Sequence, residues 1–424
     1  MQTLASTRLA ALKEKLIQVR RQSEKLAAPL APEDTVVQPI IDVSPPKWHL
    51  GHTTWFFEEF LLSPYLPGYQ KFHPRYNYLF NSYYEGAGDR VQRAYRGNMT
   101  RPTKDEIITY RQYVTEHLLQ YVENDREKTD RELYILEVGL NHEQQHQELL
   151  VYDIKYILGH NPLFPAYQED LPVSYESLSV NDTTFLQVPE GIYEVGHVGE
   201  AFHWDNEEGN HRVFVEAFEI MDRLVTVGEF KAFVDAGGYQ DYKYWLEEGW
   251  RWVNQNNIDT PFYWFQIEGQ WHHFTHHGLE LLDLNAPMTH VSYYEADAFA
   301  RWKGRRLPTE FEWEITCKRF CPEIPTEANF VDTELFRPIP RQGQNLQFYG
   351  DVWEWTSSAY LPYPFYAAEE STLGEYNGKF MINQMVLRGG SCATPRDHIR
   401  LTYRNFFHPH LQWLFNGFRL AAHT

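Results

Sequence analysis

The chain has 424 residues, enough for two or three domains whose apolar cores need no disulfides. Lys and Arg number 38 against 58 Asp and Glu, a formal charge of −20 that repels phosphate backbones and anionic lipid, so neither nucleic acid nor a membrane is expected as partner. Three cysteines, Cys317, Cys321 and Cys392, cannot build a disulfide framework and fit a reducing compartment, the cytoplasm.

The first element is a charged amphipathic helix, MQTLASTRLAALKEKLIQVRRQSEKL. Leu4, Leu9, Leu12, Leu16 and Val19 recur at helical spacing, and the stretch lacks the apolar core of a secretion signal. No run of 18 apolar residues follows anywhere, so no membrane-spanning helix is expected. A second helix contains HLGHTTWFFEEFLL, with Ser44 expected as its cap and Pro45 and Pro46 in its first turn. A third follows RPTKDEIITYRQYV, where Thr103 and Glu106 form a capping box. A fourth runs through DRELYILEVGLNHEQQHQELLVYDIKYIL. Four such segments before residue 166 read as a helical bundle. The connection from 62 to 101, rich in Tyr, Pro and Gly, is long enough to carry function.

A polar linker is expected at 167–184. Beyond it the pattern changes to short strand-like runs, FLQVPEGIYEVG and HRVFVEAFEI among them. Helices are expected at VTVGEFKAFVDAGG, SYYEADAFARWKG and TEFEWEITCKRF. Residues 185–424 therefore read as an α+β domain.

The chemical signal is strongest in the fourth helix. His142 and His146, at i and i+4, share one helical face and can hold one metal ion. The same residues spell H-E-x-x-H, which in a zinc hydrolase makes Glu143 the general base. No third downstream histidine continues that signature; Glu148 and Asp153 stand there in no standard arrangement. A third ligand is available upstream in PPKWHLGHTTW, where His52 is the choice and His49 the alternative. Three imidazoles leave three positions open on an octahedral Fe(II), or one on a tetrahedral Zn(II).

Together, GHTTWFFEEF, LFNSYYEGAG and LNHEQQHQELL resemble the iron-dependent sulfoxide synthases of ergothioneine biosynthesis (EgtB-like). The second half adds PEGIYEVG, RRLPTEFEWE, GDVWEWTSS, VLRGGSCATPRD and NGFRLA to the resemblance. It implies a DinB-like four-helix bundle at 1–166 carrying the metal site. A formylglycine-generating-enzyme-like (sulfatase-modifying factor, C-type-lectin-like) mixed domain follows at 185–424. Formylglycine-generating chemistry itself uses two neighbouring cysteines. Only Cys392 stands in GGSCATP, so it is expected as a small buried residue and the domain as scaffold. Trp353, Trp355 and Arg419 are likewise expected to be structural.

The resemblance implies His52, His142 and His146 as ligands of Fe(II), and Gln145 beside the bound imidazole substrate. Tyr83 and Tyr84 match a tyrosine pair that supplies the active-site phenol; Tyr363, in the loop after GDVWEWT, is the second source of that phenol. Asn405, with Phe406 and Phe407 after it, matches residues at the substrate's amino-acid end. Of Arg90, Arg93 and Arg96, the choice for the thiol substrate's carboxylate is Arg90 and Arg93. The implied reaction joins hercynine, a trimethylated histidine, to a thiol with O2. In one branch of the family an acidic residue stands near Phe407 to bind a γ-glutamyl group, so Phe407 favours free cysteine. A selenium donor, an ovothiol-type reaction or zinc hydrolysis are the alternatives. The expected partners are thus small molecules, and a homo-oligomer is compatible with them.

Overall fold

The computed structural model describes residues 2–168, 183–341, 343, 346–368, 374 and 377–424. Most of the expected linker at 167–184 lies outside the described residues. The chain divides into two compact units, Met1–Tyr167 and Gln168–Thr424.

The first unit holds four long helices: Gln2–Ala27, Pro46–Phe57, Lys104–Glu123 and Asp130–Gly159. Their apolar stripes face inward, with Leu16, Trp55, Phe56, Val114, Leu118 and Leu140 fully buried. Thr103 caps the third helix, accepting the Glu106 N–H while Glu106 accepts the Thr103 N–H. Thr129 and Glu132 repeat the arrangement at the fourth. Ser44 does not cap the second helix. Pro45 occupies the cap position with no side-chain bond, the Ser44 N–H donates to Asp153 at 2.8 Å, and its hydroxyl accepts from Arg96 at 2.9 Å. That serine therefore links the second helix to the fourth instead of closing its own turn.

The second helix runs into a π-helical turn, Glu58–Leu62. The turn directs Glu58 inward, where the Tyr69 and Tyr110 hydroxyls, each at 2.7 Å, and the Phe72 N–H at 2.9 Å satisfy its carboxylate. Two glycines let the helices approach. A Cβ at Gly51 would lie 2.3 Å from the Phe80 ring, and one at Gly139 would lie 2.4 Å from the Phe57 ring.

In the second unit, Phe218–Met221 pairs antiparallel with both Phe185–Val188 and Ala421–His423. The last strand thus returns to the unit's beginning. A four-stranded sheet orders Asn405–Phe407, Met385–Arg388, Trp353–Ala359 and Asn416–Gly417, the last pair parallel. A hairpin joins Gly191–Val195 to His211–Val215, and a meander runs through Trp264–Ile267, Gln270–Thr275 and Gly278–Leu281. Helices occur at Val227–Asp235, Tyr293–Trp302 and Glu310–Phe320, as the pattern led one to expect, and also at Glu247–Gln255. Trp353, Trp355 and Cys392 are fully buried. Arg419 is a core residue bound to Glu354, and Arg388 is bound to Glu314, each at 2.5 Å.

Candidate metal centre

Four histidines meet inside the bundle. His49 and His52 lie one turn apart on the second helix, and His142 and His146 one turn apart on the fourth. His52, His142 and His146 each offer a ring nitrogen, and these nitrogens all lie within 4.8 Å of one another. The Nε2 atoms of His52 and His142 face each other at 3.2 Å. The three rings stand edge to face, with centroids 4.7 to 4.9 Å apart. All three are buried.

Burial, before any charge, lowers the pKa of each. It takes His142 to about 4, and for His52 and His146 the neighbouring histidines push further in the same direction. The imidazoles are therefore neutral at pH 7, the form that binds metal. Aromatic rings hold them in place. His52 is stacked between Trp48, at 4.6 Å, and Trp55, at 5.4 Å, while Phe56 lies 4.9 Å from His142. The Arg96 guanidinium covers the other face of Trp48 at 3.4 Å.

The outer nitrogens differ. His52 Nδ1 donates to the Phe80 carbonyl at 2.6 Å, which leaves its Nε2 lone pair for the centre. His146 Nδ1 meets His49 Nδ1 at 2.8 Å, and His49 Nε2 meets Asp153 Oδ2 at 2.9 Å. His142 Nδ1 has no hydrogen-bond partner among the described residues. Three buried neutral imidazoles aimed at one point fit a divalent cation of borderline softness.

Glu143 faces the other way. It and Gln147, one turn on, point at the first helix. Glu143 binds Arg20 at 3.0 Å, the Ser23 hydroxyl at 2.6 Å and Arg111, and Gln147 donates to the Val19 carbonyl at 2.8 Å. Burial alone would raise the Glu143 carboxyl, but the two guanidiniums hold it below the usual range. A carboxylate so neutralised and turned from the histidines cannot be the base of a zinc hydrolase, and that alternative falls.

The other expected residues divide between the two units. In the first, Tyr84 is buried against Trp55 and Phe60, at 5.8 and 5.4 Å, and Tyr83 lies 5.1 Å from Tyr84. This pair thus extends the aromatic wall that flanks His52. Gln145 is half-buried on the fourth helix between the two histidines. Arg90 pairs with Glu85 at 2.7 Å, and Arg93 donates to the Asp42 carbonyl at 2.7 Å, both with substantial exposure. Arg96 alone of the three arginines is buried.

In the second unit, Asn405, Phe406 and Phe407 form a half-buried strand. Phe406 is stacked on Tyr360 at 4.1 Å, and Phe407 meets Trp413 edge-on at 5.5 Å. Tyr363 is not a free phenol. Its hydroxyl donates to Glu310 at 2.9 Å, deep in an ionic core with Arg388 and Arg404, and Arg404 covers its ring at 3.8 Å.

What the sequence reading left unassigned is the chain from His146 through His49 to Asp153. Its signal was present: Asp153 stands at i+7 from His146 and so shares its helical face.

A helical bundle with a buried three-histidine cluster, followed by a mixed α and β unit, defines a two-domain class. Residues 15–150 match the DinB superfamily, and residues 173–328 and 338–424 match the sulfatase-modifying factor enzyme 1-like domain. The chain belongs to the hercynine oxygenase family, whose members are oxidoreductases. It is 32% identical to hercynine oxygenase of Mycolicibacterium thermoresistibile over 70% of each chain. Identity to the Mycobacterium tuberculosis enzyme is also 32%, over 69% of this chain and 72% of the relative. Ergothioneine biosynthesis protein 1 of Schizosaccharomyces pombe is 27% identical over 52% of this chain and 27% of its own length.

Proposed function

We propose that this protein is a nonhaem Fe(II), O2-dependent sulfoxide synthase that joins hercynine to free cysteine. The observation that carries the reading is the convergence of His52, His142 and His146, neutral and buried, in a chain whose relatives are hercynine oxygenases. Hercynine and cysteine lose one C–H and one S–H as the carbon–sulfur bond forms. One oxygen atom of O2 becomes the sulfoxide and the other leaves as water, so the four electrons balance.

His52, His142 and His146 would hold the iron, which would supply one point at which the substrates and O2 meet and so replace a three-body encounter. The protein's own part is binding and proton delivery. Trp48, Trp55 and Phe56 exclude water around the ligand rings. Gln145 hydrogen-bonds the substrate imidazole. Tyr83 or Tyr84 delivers the proton from its phenol. Arg90 and Arg93 hold the thiol's carboxylate. Phe407, where an acidic residue would be needed for a γ-glutamyl amine, is the reason for choosing free cysteine. The compartment in this reading is the cytoplasm, which keeps the substrate thiol reduced.

The test is anaerobic reconstitution with Fe(II), then O2 with hercynine and either cysteine or γ-glutamylcysteine, with products identified by mass. Hercynylcysteine sulfoxide from cysteine is expected, together with its loss in His52→Ala. Sulfoxide from neither thiol overturns the reading.

A further inference from the structure

The three histidines of the centre are supported unequally, and among the described residues it is His146 that is backed by a charge, through His49. Asp153 Oδ2 accepts two hydrogen bonds, from the Ser44 N–H at 2.8 Å and from His49 Nε2 at 2.9 Å. A carboxylate can only accept, so the proton of His49 sits on Nε2. For His146 to bind a metal its Nε2 must be free of a proton, so its Nδ1 carries the proton and donates to the opposing Nδ1 of His49 at 2.8 Å. With its proton on Nδ1, His146 has its lone pair on Nε2, the remaining ring nitrogen. His49, His146 and Asp153 are all buried, so water does not compete for these bonds.

We propose that His49 and Asp153 are positioning residues for the metal. Through two consecutive hydrogen bonds they fix the tautomer and ring orientation of His146 and raise its donor strength. The assignment rests on the reading of the triad as a metal site. His52 reaches the same tautomer through a neutral carbonyl, that of Phe80, and His142 has no such partner among the described residues. His146 is thereby the strongest donor of the three, and the relay sets the affinity of the whole site.

The test measures divalent-metal affinity, with Fe(II) under anaerobic conditions and Co(II) in parallel, by competition with a chromogenic chelator. The proteins compared are the full-length wild type, Asp153→Asn, His49→Gln and His52→Ala. Asn is isosteric with Asp and can still accept from His49, so a role in packing alone predicts unchanged affinity. The relay predicts affinity about tenfold weaker in Asp153→Asn, and about ten- to a hundredfold weaker in His49→Gln, with altered Co(II) absorption bands in both. The two residues act through one ligand, so a variant that does not fold leaves the decision to the other. Affinity within about twofold of wild type in the folded variants overturns the proposal. A wild type that binds neither ion overturns the metal reading itself, which His52→Ala tests separately.

Discussion

His142 shows how burial prepares a side chain for its ligand. In the unfolded chain its imidazole takes up a proton near pH 6.5, and in the folded protein burial postpones this to about pH 4. Between those values the unfolded chain binds a proton that the folded one refuses. Stability is therefore fully present above about pH 6.5 and drains away as the pH falls toward 4. His52 and His146, shifted in the same direction, add to the effect. For the metal-free protein, His142 alone should cost about 2 kcal/mol on going from pH 7 to pH 5. Urea unfolding at the two values checks it, and equal stabilities would contradict the buried neutral triad. The residues around the triad follow the same logic. Its flanking groups are aromatic faces and one carbonyl, with the carboxylate of Asp153 kept one residue away behind His49.

At the scale of elements, Glu143 fastens three helices together. Arg20 comes from the first, Arg111 from the third and Glu143 itself from the fourth, and all three are fully or almost fully buried. Burial takes Arg20 down to about 10, yet it keeps its charge at neutral pH, so each guanidinium needs this carboxylate. Glu143→Gln should destabilise the metal-free protein by about 3–5 kcal/mol, because two buried cations lose their only fully buried counter-ion. Denaturant unfolding measures this. Unchanged stability would contradict its role as their counter-ion. The network also explains which parts of the fold could be read from sequence. The capping boxes at Thr103 and Thr129 and the His142–His146 spacing are local, set by residues three or four apart, and such patterns are visible along the chain. Ser44 bonded to Asp153, Arg111 to Glu143 and His49 to His146 join residues far apart in the chain, and no periodicity encodes such pairs. The helix Glu247–Gln255 escaped for another reason. Its buried positions are Gly249 and Val253, so the face it turns inward carries a glycine and a single apolar side chain in place of an apolar stripe.

For the whole molecule, the division of labour between the two units has a thermodynamic consequence. Each has its own core. Leu16, Phe56 and Leu140 belong to the first, and Trp313, Trp353 and Phe418 to the second. Every histidine of the candidate centre comes from the first unit, from two helices that also meet through His49 and Asp153. A metal ion that binds the folded bundle and not the unfolded chain adds stability only to the unit that must unfold to release it. Scanning calorimetry under anaerobic conditions should therefore resolve a transition that Fe(II) or Co(II) raises and a second that it leaves in place. At a free metal concentration a hundred times the dissociation constant, the gain for the bundle is about 2.7 kcal/mol. His52→Ala should abolish the shift while preserving both transitions, since the substitution removes a ligand without touching the second core. If metal moved both transitions equally in the wild type, the two units would unfold as one, and the bundle would not be the independent carrier of the centre.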